Sequence, residues 1–210
     1  MVTLLRISKD PAERKNEIID AAERLFMEDG FDNTTVGDIV NEVGIAKGTF
    51  YYHFATKESI IVAIVERRLN KGKKKAETVL NDKELNAVEK MERVMKILFL
   101  KAPEDKKIFH YFDLDSNAKI HQKRDELFHK IFKDIILQIV EEGVQDELFK
   151  CEYYQEITEI IFIGIDRFMH INLKNFRNKG VFNEKVKAIE ELLERVLGLE
   201  KGVLKILESI

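Results

Sequence analysis

The chain lacks the features that would assign it to a membrane, secreted or cysteine-based metal-binding class. Its single cysteine, Cys151, excludes an intramolecular disulfide and any zinc site built on cysteine pairs. No apolar run approaches the roughly 18–20 residues of a membrane span, and the first residues contain no apolar signal segment with a small-residue cleavage site. We therefore expect a cytoplasmic protein without a membrane partner.

Helix-breaking residues are also scarce. The 210 residues include two prolines and ten glycines, and the hydrophobic share of 45% is enough to bury a core. Apolar residues recur at spacings of three and four, without strand-like alternation, internal repeats or low-complexity segments. The sequence predicts an all-α protein with long helices.

The predicted helices fall into three parts. Asp10 opens a first helix as its N-cap and two short helices follow, so residues 1–56 form a small N-terminal domain of three helices. Residues 57–80 form one connecting helix. Residues 81–210 form a C-terminal helical bundle domain.

The two short helices of the N-terminal domain meet at a glycine. Thr35 is the predicted N-cap of the first and Asp38 its capping-box partner, whereas Gly44 ends it because glycine adopts positive φ without steric penalty. Spacing by four puts three residues on the inner face of the second helix, Ala46, Phe50 and Phe54. Its outer face and flanks then carry Lys47, Gly48, Thr49, Tyr51, Tyr52 and His53.

The outer face of the second short helix is typical of a helix that reads a DNA groove. Two helices joined by a glycine turn form a helix-turn-helix, whose second helix lies in the major groove. Lys57 is the first residue of the next helix, where its positive charge is repelled by the partial positive charge of the helix N-terminus. A bound phosphate would remove this conflict, because helix N-termini and lysines both attract anions. The alternative is a helical hairpin whose outward tyrosines pack against another part of the chain.

The stretch TTVGDIVNEVGIAKGTFYYHFATKESI, residues 34–60, resembles the DNA-binding helix-turn-helix of the tetracycline-repressor-like (TetR) family of bacterial transcription regulators. The resemblance covers about the first seventy residues. Together with the helix phase, it implies that base edges face Lys47, Gly48, Tyr51 and Tyr52. It implies that the phosphate backbone is held by Thr35, Thr49, His53 and Lys57. Ala46 departs from the family, which often places a capping serine at this position.

The predicted DNA-binding part is not basic. Residues 1–80 contain thirteen acidic and thirteen basic side chains, so the net charge of −3 falls on the remainder. DNA affinity is therefore expected to depend on where a few cations lie, namely Arg6, Lys9, Lys47 and Lys57. The basic stretch 67–75 is either a solvated helix face or a source of further phosphate contacts.

The last two long helices are apolar over a broad face, which requires packing partners on more than one side. The TetR resemblance implies that they form the four-helix bundle of a homodimer. The expected interface residues are Ile157, Ile161, Gly164, Ile165, Phe168, Ile189, Leu193 and Val196. The alternative is that both are ordinary core helices of a monomer.

Fourteen phenylalanines and a few ionisable groups in apolar stretches suit a cavity for a small hydrophobic or amphipathic effector. The candidate lining is Phe99, Phe109, His110, Phe112, Phe128, His129, Phe132, Phe162, Asp166 and His170. Most of these aromatic residues are equally suited to an ordinary core. Asp166 and His170 have metal-ligand spacing, with His110, His121 or His129 as possible third ligands, but a polar anchor for an organic effector is preferred, and no metal is expected.

The chain contains no nucleophile-elbow, P-loop, zinc-protease or dinucleotide motif, so neither an enzyme nor a cofactor is predicted. We interpret the sequence as a homodimeric transcription regulator, most simply a repressor that binds an inverted-repeat operator in double-stranded DNA and is released by the effector. Two alternatives stay open. One is an architectural or nucleoid-associated DNA-binding protein, and the other is a ligand sensor or enzyme that has lost DNA binding.

Overall fold

A computed structural model describes residues 10–99, 118–171 and 179–207, and the regular structure within these ranges is entirely helical. The helices are α1 (Pro11–Glu28), α2 (Val36–Val43), α3 (Lys47–His53), α4 (Lys57–Leu80), α5 (Ala87–Phe99), α6 (Ala118–Gln145), α7 (Tyr154–Ile171) and α8 (Lys179–Leu197). The predicted all-α class is confirmed. The predicted short helix around Phe109, His110 and Phe112 lies outside the described residues.

The helices group into two compact units, and the division falls inside α4 after Arg67. The first unit contains α1, α2, α3, the start of α4 and the first residues of α6. The second contains the rest of α4, α5, most of α6, α7 and α8. The expected domains 1–56, 57–80 and 81–210 stay a prediction.

The first unit, which we call the head, has a core made from one apolar stripe of each of its four main helices. Its most deeply buried side chains are Ile18, Ala22, Ile39, Phe50, Ile60 and Ile64. Each large apolar side chain buried in this way contributes about 1.5–3 kcal/mol relative to an exposed one. The buried residues of α1 recur at the spacings of three and four that are typical of one helix face.

Ion pairs hold α1 against α2 and α4 at the edge of the head. Arg67 of α4 binds both Asp20 and Glu23 of α1. Burial would lower the pKa of Arg67, but its hydrogen bonds to Asp20 and Glu23 outweigh burial and raise that pKa. Arg24 Nη2 lies 2.6 Å from Glu42 Oε1 of α2. The basic stretch of α4 therefore begins with a guanidinium that is already paired within the head.

The core of the second unit is lined by α5, α6, α7 and α8. Buried apolar residues follow the helical period on each, as in Met91, Ile139 and Val186. Lys90 is buried among them, and its Nζ lies 2.6 and 2.8 Å from the carboxylate oxygens of Glu142. Pairing is what makes such a buried ammonium tolerable in an apolar core.

The segment after α8 packs back onto the second unit. Glu194 is buried, and its Oε1 accepts hydrogen bonds from the backbone N–H groups of Gly202 (2.8 Å) and Leu204 (2.9 Å). Leu204 and Ile206 are themselves buried. One carboxylate of α8 thus satisfies two backbone donors and fixes the path of the tail.

Candidate DNA-binding face and ligand cavity

The turn between α2 and α3 has the local structure that the sequence predicts. Asp38 N donates to Thr35 Oγ1 at 3.2 Å, and Thr35 N donates to Asp38 Oδ2 at 2.7 Å, which completes the capping box. The side-chain and backbone hydrogen bonds from Thr35 lower the pKa of Asp38 below its ordinary value. Gly44 has φ of 71° and ends α2. Both ends of α2 are therefore fixed by its own residues.

Helix α3 presents a polar aromatic surface to solvent because its apolar residues anchor it from below. Phe50 and Phe54 are buried, whereas Tyr51 is 55% and Tyr52 77% exposed. Lys47 and Gly48 are also exposed, and Thr49 and His53 are half-buried on the flanks. The structure thus brings the six α3 residues of the predicted DNA-binding set to the outer face and flanks of one helix.

The prediction for Ala46 is wrong, since its side chain is exposed and does not face the core. Ala46 is the N-cap of α3, and its extended backbone (φ −75°, ψ 149°) places it before the helical period begins. Spacing by four from Phe50 therefore does not apply to it. It forms no side-chain hydrogen bond that caps α3.

Lys57 does not extend toward solvent as a free phosphate anchor would. Its Nζ donates to the carbonyl oxygens of Phe31 (2.6 Å) and Thr34 (2.9 Å) and lies 4.1 Å from the centre of the Phe31 ring. These carbonyls offset the repulsion between the ammonium and the positive end of α4. Two of its three donors are thus used inside the head, where Lys57 holds the segment between α1 and α2 against α4.

Thr35 is likewise engaged within the head. Its hydroxyl donates to Asp38 Oδ2 at 2.7 Å while it accepts from the Asp38 backbone. The residue remains exposed at the start of α2. A DNA phosphate would meet a hydroxyl whose hydrogen already points to a carboxylate.

The predicted effector cavity is almost filled in the described residues. A cavity of about 20 Å³ lies among α5, α6, α7 and α8, and its lining includes Phe99, Phe128, Phe162 and Asp166. Rings close it: Phe128 stacks on Phe162 with centroids 5.4 Å apart and contacts Phe132 at 5.0 Å. Phe132 is buried behind Phe128 and is not among the lining residues.

Five predicted lining residues either lie outside the described residues or line another feature. Phe109, His110 and Phe112 and the side chain of His170 lie outside the described residues. His129 lines a different feature, a surface cleft of about 370 Å³ between α6 and α7 that it shares with Lys130, Lys133, Asp134, Glu159, Phe162 and Ile163. Phe162 is the residue common to the cleft and the cavity.

A buried ion pair beside the cavity was not predicted from the sequence. Arg124 Nη1 lies 2.9 and 3.0 Å from the two carboxylate oxygens of Asp166 and 2.8 Å from Asp125 Oδ1. Arg124 and Asp166 are both buried. The partners lie 42 positions apart on different helices, so no local pattern indicates the pair. Asp166 is therefore held by a guanidinium.

The described residues contain no group of three histidine, cysteine, aspartate or glutamate side chains that could hold a metal ion. Among the helices of the same ranges, none is both long enough and apolar enough to cross a lipid bilayer.

The predicted dimer interface is partly wrong, because three of its residues belong to the subunit core. Ile165, Ile189 and Leu193 are only 6%, 2% and 2% exposed. Ile165 and Leu193, with Ile161, line the small cavity. The apolar pattern of α7 and α8 spans both sides of each helix, so it could not distinguish the side that faces the subunit's own core.

A second apolar surface lies on the exposed side of the same two helices. Ile160 is 69% exposed, and Gly164 and Phe168 follow it at spacings of four along α7. On α8, Leu192 is exposed and Val196 is half-buried, and Ile157 near the start of α7 is also half-buried. We call Ile160, Gly164, Phe168 and Leu192 the exposed stripe. Gly164 and Phe168 are the predicted interface residues that lie on it.

Comparisons with known proteins agree with the geometry of the head. The family of bacterial regulatory proteins named tetR matches residues 18–64. The chain is 28% identical to YerO, an uncharacterized HTH-type transcriptional regulator of Bacillus subtilis (strain 168), over 218 residues that cover 91% of this chain and 68% of the relative. It is also similar to IcaR, the biofilm operon icaADBC HTH-type negative transcriptional regulator of Staphylococcus aureus (strain Newman). The two are 52% identical over 46 residues, a segment that covers 22% of this chain and 25% of IcaR.

A solved structure extends the similarity beyond the head. The transcriptional regulator FadR from Bacillus subtilis in complex with stearoyl-CoA matches with a TM-score of 0.63 at 25% identity, and the match covers 88% of this chain and 99% of FadR. The family match spans the helix-turn-helix that carries Tyr51 and Tyr52, and the structural match spans both compact units. Residues 18–64 thus match the tetR family of bacterial regulatory proteins, and the chain is similar to HTH-type transcriptional regulators over most of its length.

Proposed function

We propose that this protein is a repressor that binds an inverted-repeat operator as a homodimer and is released by a small hydrophobic or amphipathic effector. The observation that carries the proposal is the outer face of α3, where two exposed tyrosines lie beside Lys47 and Gly48. Phe50 and Phe54 anchor the helix, and although the Tyr51 ring contacts Phe50 edge to face at 5.3 Å, both tyrosines keep more than half of their surface exposed. The name of IcaR as a negative regulator supports repression.

The exposed residues of α3 are proposed to contact two parts of DNA, the base edges and the phosphate backbone. Lys47, Tyr51 and Tyr52 can donate hydrogen bonds to base edges in the major groove. Apart from its chain neighbours and the backbone of α3 itself, no described atom lies within 4 Å of the position that a Cβ of Gly48 would occupy, so this position leaves room for close approach of DNA. Thr49 and His53 on the flanks are suited to the phosphate backbone, whereas the internal contacts of Lys57 and Thr35 leave them mainly a positioning role.

A homodimer is proposed because one head offers few contacts, and two α3 helices are needed to reach half-sites about one helical turn, roughly 34 Å, apart. The exposed stripe is the surface proposed to join two copies. Ile160→Asp is expected to shift the protein to monomers in light scattering, because it puts a charge into the proposed interface formed by the exposed stripe. Leu148→Asp is the matched control, since Leu148 is also exposed but lies outside the stripe.

Two observations support an effector. The small cavity has a mostly apolar lining, and the similar structure of FadR holds stearoyl-CoA. Ligand sites usually enclose about 300–1,000 Å³, so a cavity of about 20 Å³ must open before an effector enters. The effector then favours the opened state only by its difference in affinity for the two states. A typical coupling of about 1–3 kcal/mol would weaken DNA binding roughly 5- to 150-fold.

The experiment that tests the proposed function is selection of bound sequences from random DNA, followed by fluorescence anisotropy on the selected site and on unrelated DNA. A regulator is expected to bind its site at least about a thousandfold more tightly. Tyr51→Ala and Tyr52→Ala should both lower that ratio, and Tyr52→Ala should leave thermal stability nearly unchanged because its side chain is 77% exposed. A small ratio would indicate an architectural protein, and no DNA binding would indicate a sensor that has lost this activity.

A further inference from the structure

The guanidinium of Arg124 carries a buried hydrogen-bond donor that no atom of the described residues satisfies. Arg124 is 7% exposed, and its Nη1 contacts Asp166 and Asp125. Its Nε is buried and has no hydrogen-bond partner within residues 10–99, 118–171 and 179–207. Leaving a buried donor unpaired is costly, and native proteins rarely do so without a reason such as a ligand that supplies the acceptor.

A second unpaired polar atom lies in the same cluster. His129 Nε2 is buried and lies 3.3 Å from Asp166 Oδ2, but outside hydrogen-bond geometry. Thus Asp166 has one buried cation bound to it and one imidazole nitrogen beside it without a completed bond. Two buried polar atoms of α6, Arg124 Nε and His129 Nε2, thus lie close to the carboxylate of Asp166 on α7 and have no hydrogen-bond partner among the described residues.

The cluster adjoins the apolar cavity. The Arg124 guanidinium carbon lies 4.6 Å from the centre of the Phe128 ring, and both Phe128 and Asp166 line the cavity. The remaining lining consists of apolar side chains, among them Met91, Leu98 and Ile161. A ligand that fits this arrangement has an apolar body and one oxygen atom that accepts a hydrogen bond at its end.

The local charges favour a neutral oxygen over an anionic one. One guanidinium faces the carboxylates of Asp166 and Asp125, so the acids exceed the fixed cations by one charge. A free carboxylate would add a further negative charge beside two others in a poorly solvated place, which is unfavourable. A carbonyl oxygen accepts from Nε–H without this repulsion.

We propose that Arg124 binds the carbonyl oxygen of a neutral acyl group, as in an ester or a thioester, whose alkyl chain enters the cavity between Phe128 and Phe162. The proposal rests on the proposed function for the existence of an apolar effector, and adds its chemical class and the residue that recognises it. Asp166 is the positioning residue that holds the guanidinium in the wall. Free fatty acids of equal chain length are poorer ligands.

The test compares methyl octanoate, octanoate and octane as ligands of the full chain, with displacement of Nile red as the readout. Methyl octanoate is expected to bind at least about tenfold more tightly than octane, because it alone of these two satisfies the charged donor. It is also expected to bind more tightly than octanoate. Equal binding of methyl octanoate and octane, or tighter binding of octanoate, overturns the proposal, as does failure of all three to bind.

Two variants separate recognition from folding. Arg124→Met combined with Asp166→Leu removes both charges at similar volume, which proteins often tolerate. This variant is expected to keep its helical circular dichroism and its affinity for octane, but to lose the preference for methyl octanoate. Retention of the ester preference overturns the assignment of Arg124. Asp125→Asn should strengthen octanoate binding and leave methyl octanoate unchanged, and the opposite pattern contradicts the charge reasoning.

Operator binding without ligand is measured on the same proteins. If the double variant binds operator DNA normally but has no ester preference, both proposals stand. If wild-type protein binds operator DNA but shows no ester preference, only the assignment of Arg124 fails. If it shows the ester preference and never binds DNA, the proposed regulatory function fails instead.

Discussion

Replacing Lys57 by methionine separates two roles for this residue, a phosphate anchor and a support inside the head. Methionine keeps much of the apolar stem and removes the ammonium, which donates to the carbonyls of Phe31 and Thr34 at 2.6 and 2.9 Å. Hydrogen bonds to charged groups are worth about 1.5–3 kcal/mol each, and Lys57 is half-buried, so we expect a total loss of about 2–3 kcal/mol. That loss corresponds to a drop in Tm of roughly 4–12 °C.

Measuring operator affinity at several salt concentrations distinguishes the two roles of Lys57 more clearly than Tm does. A lost phosphate contact lowers the slope of log affinity against log salt by about 0.9. A lost internal support weakens binding but leaves that slope unchanged, because the number of neutralised phosphates stays the same. Lys57→Met is therefore expected to lower Tm, speed amide exchange at Phe31 to Thr34, and leave the slope as in the wild type.

Lys47→Met is the matched control, since Lys47 is exposed on α3. It is expected to lower operator affinity at unchanged Tm. The reasoning is refuted if Lys57→Met retains the wild-type Tm and reduces the salt slope by about one, because Lys57 would then act as a phosphate anchor.

Three further predictions concern stability and reactivity. Ala46→Ser should raise the stability of the head by about 1 kcal/mol in urea unfolding, because the N-cap of α3 has extended backbone and no capping side chain; no gain would contradict the capping geometry. Gly143→Ala should destabilise the chain by about 1–3 kcal/mol in the same assay, since the added Cβ would lie 2.2 Å from Phe149 Cδ2; an unchanged unfolding midpoint would contradict this contact. Burial raises the pKa of the Cys151 thiol, so its reaction with a disulfide reagent at pH 8 should be at least about tenfold slower in the folded than in the urea-unfolded protein, and equal rates would contradict the burial.

Local signals in the sequence were sufficient for the helix-turn-helix. The capping box of Thr35 and Asp38, the helix end at Gly44 and the inward Phe50 each depend on residues within four positions. Short-range hydrogen bonds and the helical period fix such features without reference to the rest of the chain. They position the exposed tyrosines of α3.

Features that depend on distant residues were not predictable in this way. The acceptors of Lys57 lie 26 and 23 positions earlier, and the partner of Arg124 lies 42 positions later. Likewise, α7 is apolar on both sides, so its sequence does not show that Ile165 faces the subunit core while Ile160 faces solvent. Only the packing of other helices distinguishes the two sides.

The central claim is that α3 reads DNA sequence for a dimeric regulator, and selection of full-length protein on random double-stranded DNA tests it most directly. The account predicts enrichment of an inverted repeat whose half-site centres lie about one helical turn or a multiple of it apart. Tyr51→Ala or Tyr52→Ala should change the preferred bases at symmetric positions. Enrichment of no sequence, or of a motif that both variants leave unchanged, would contradict the claim.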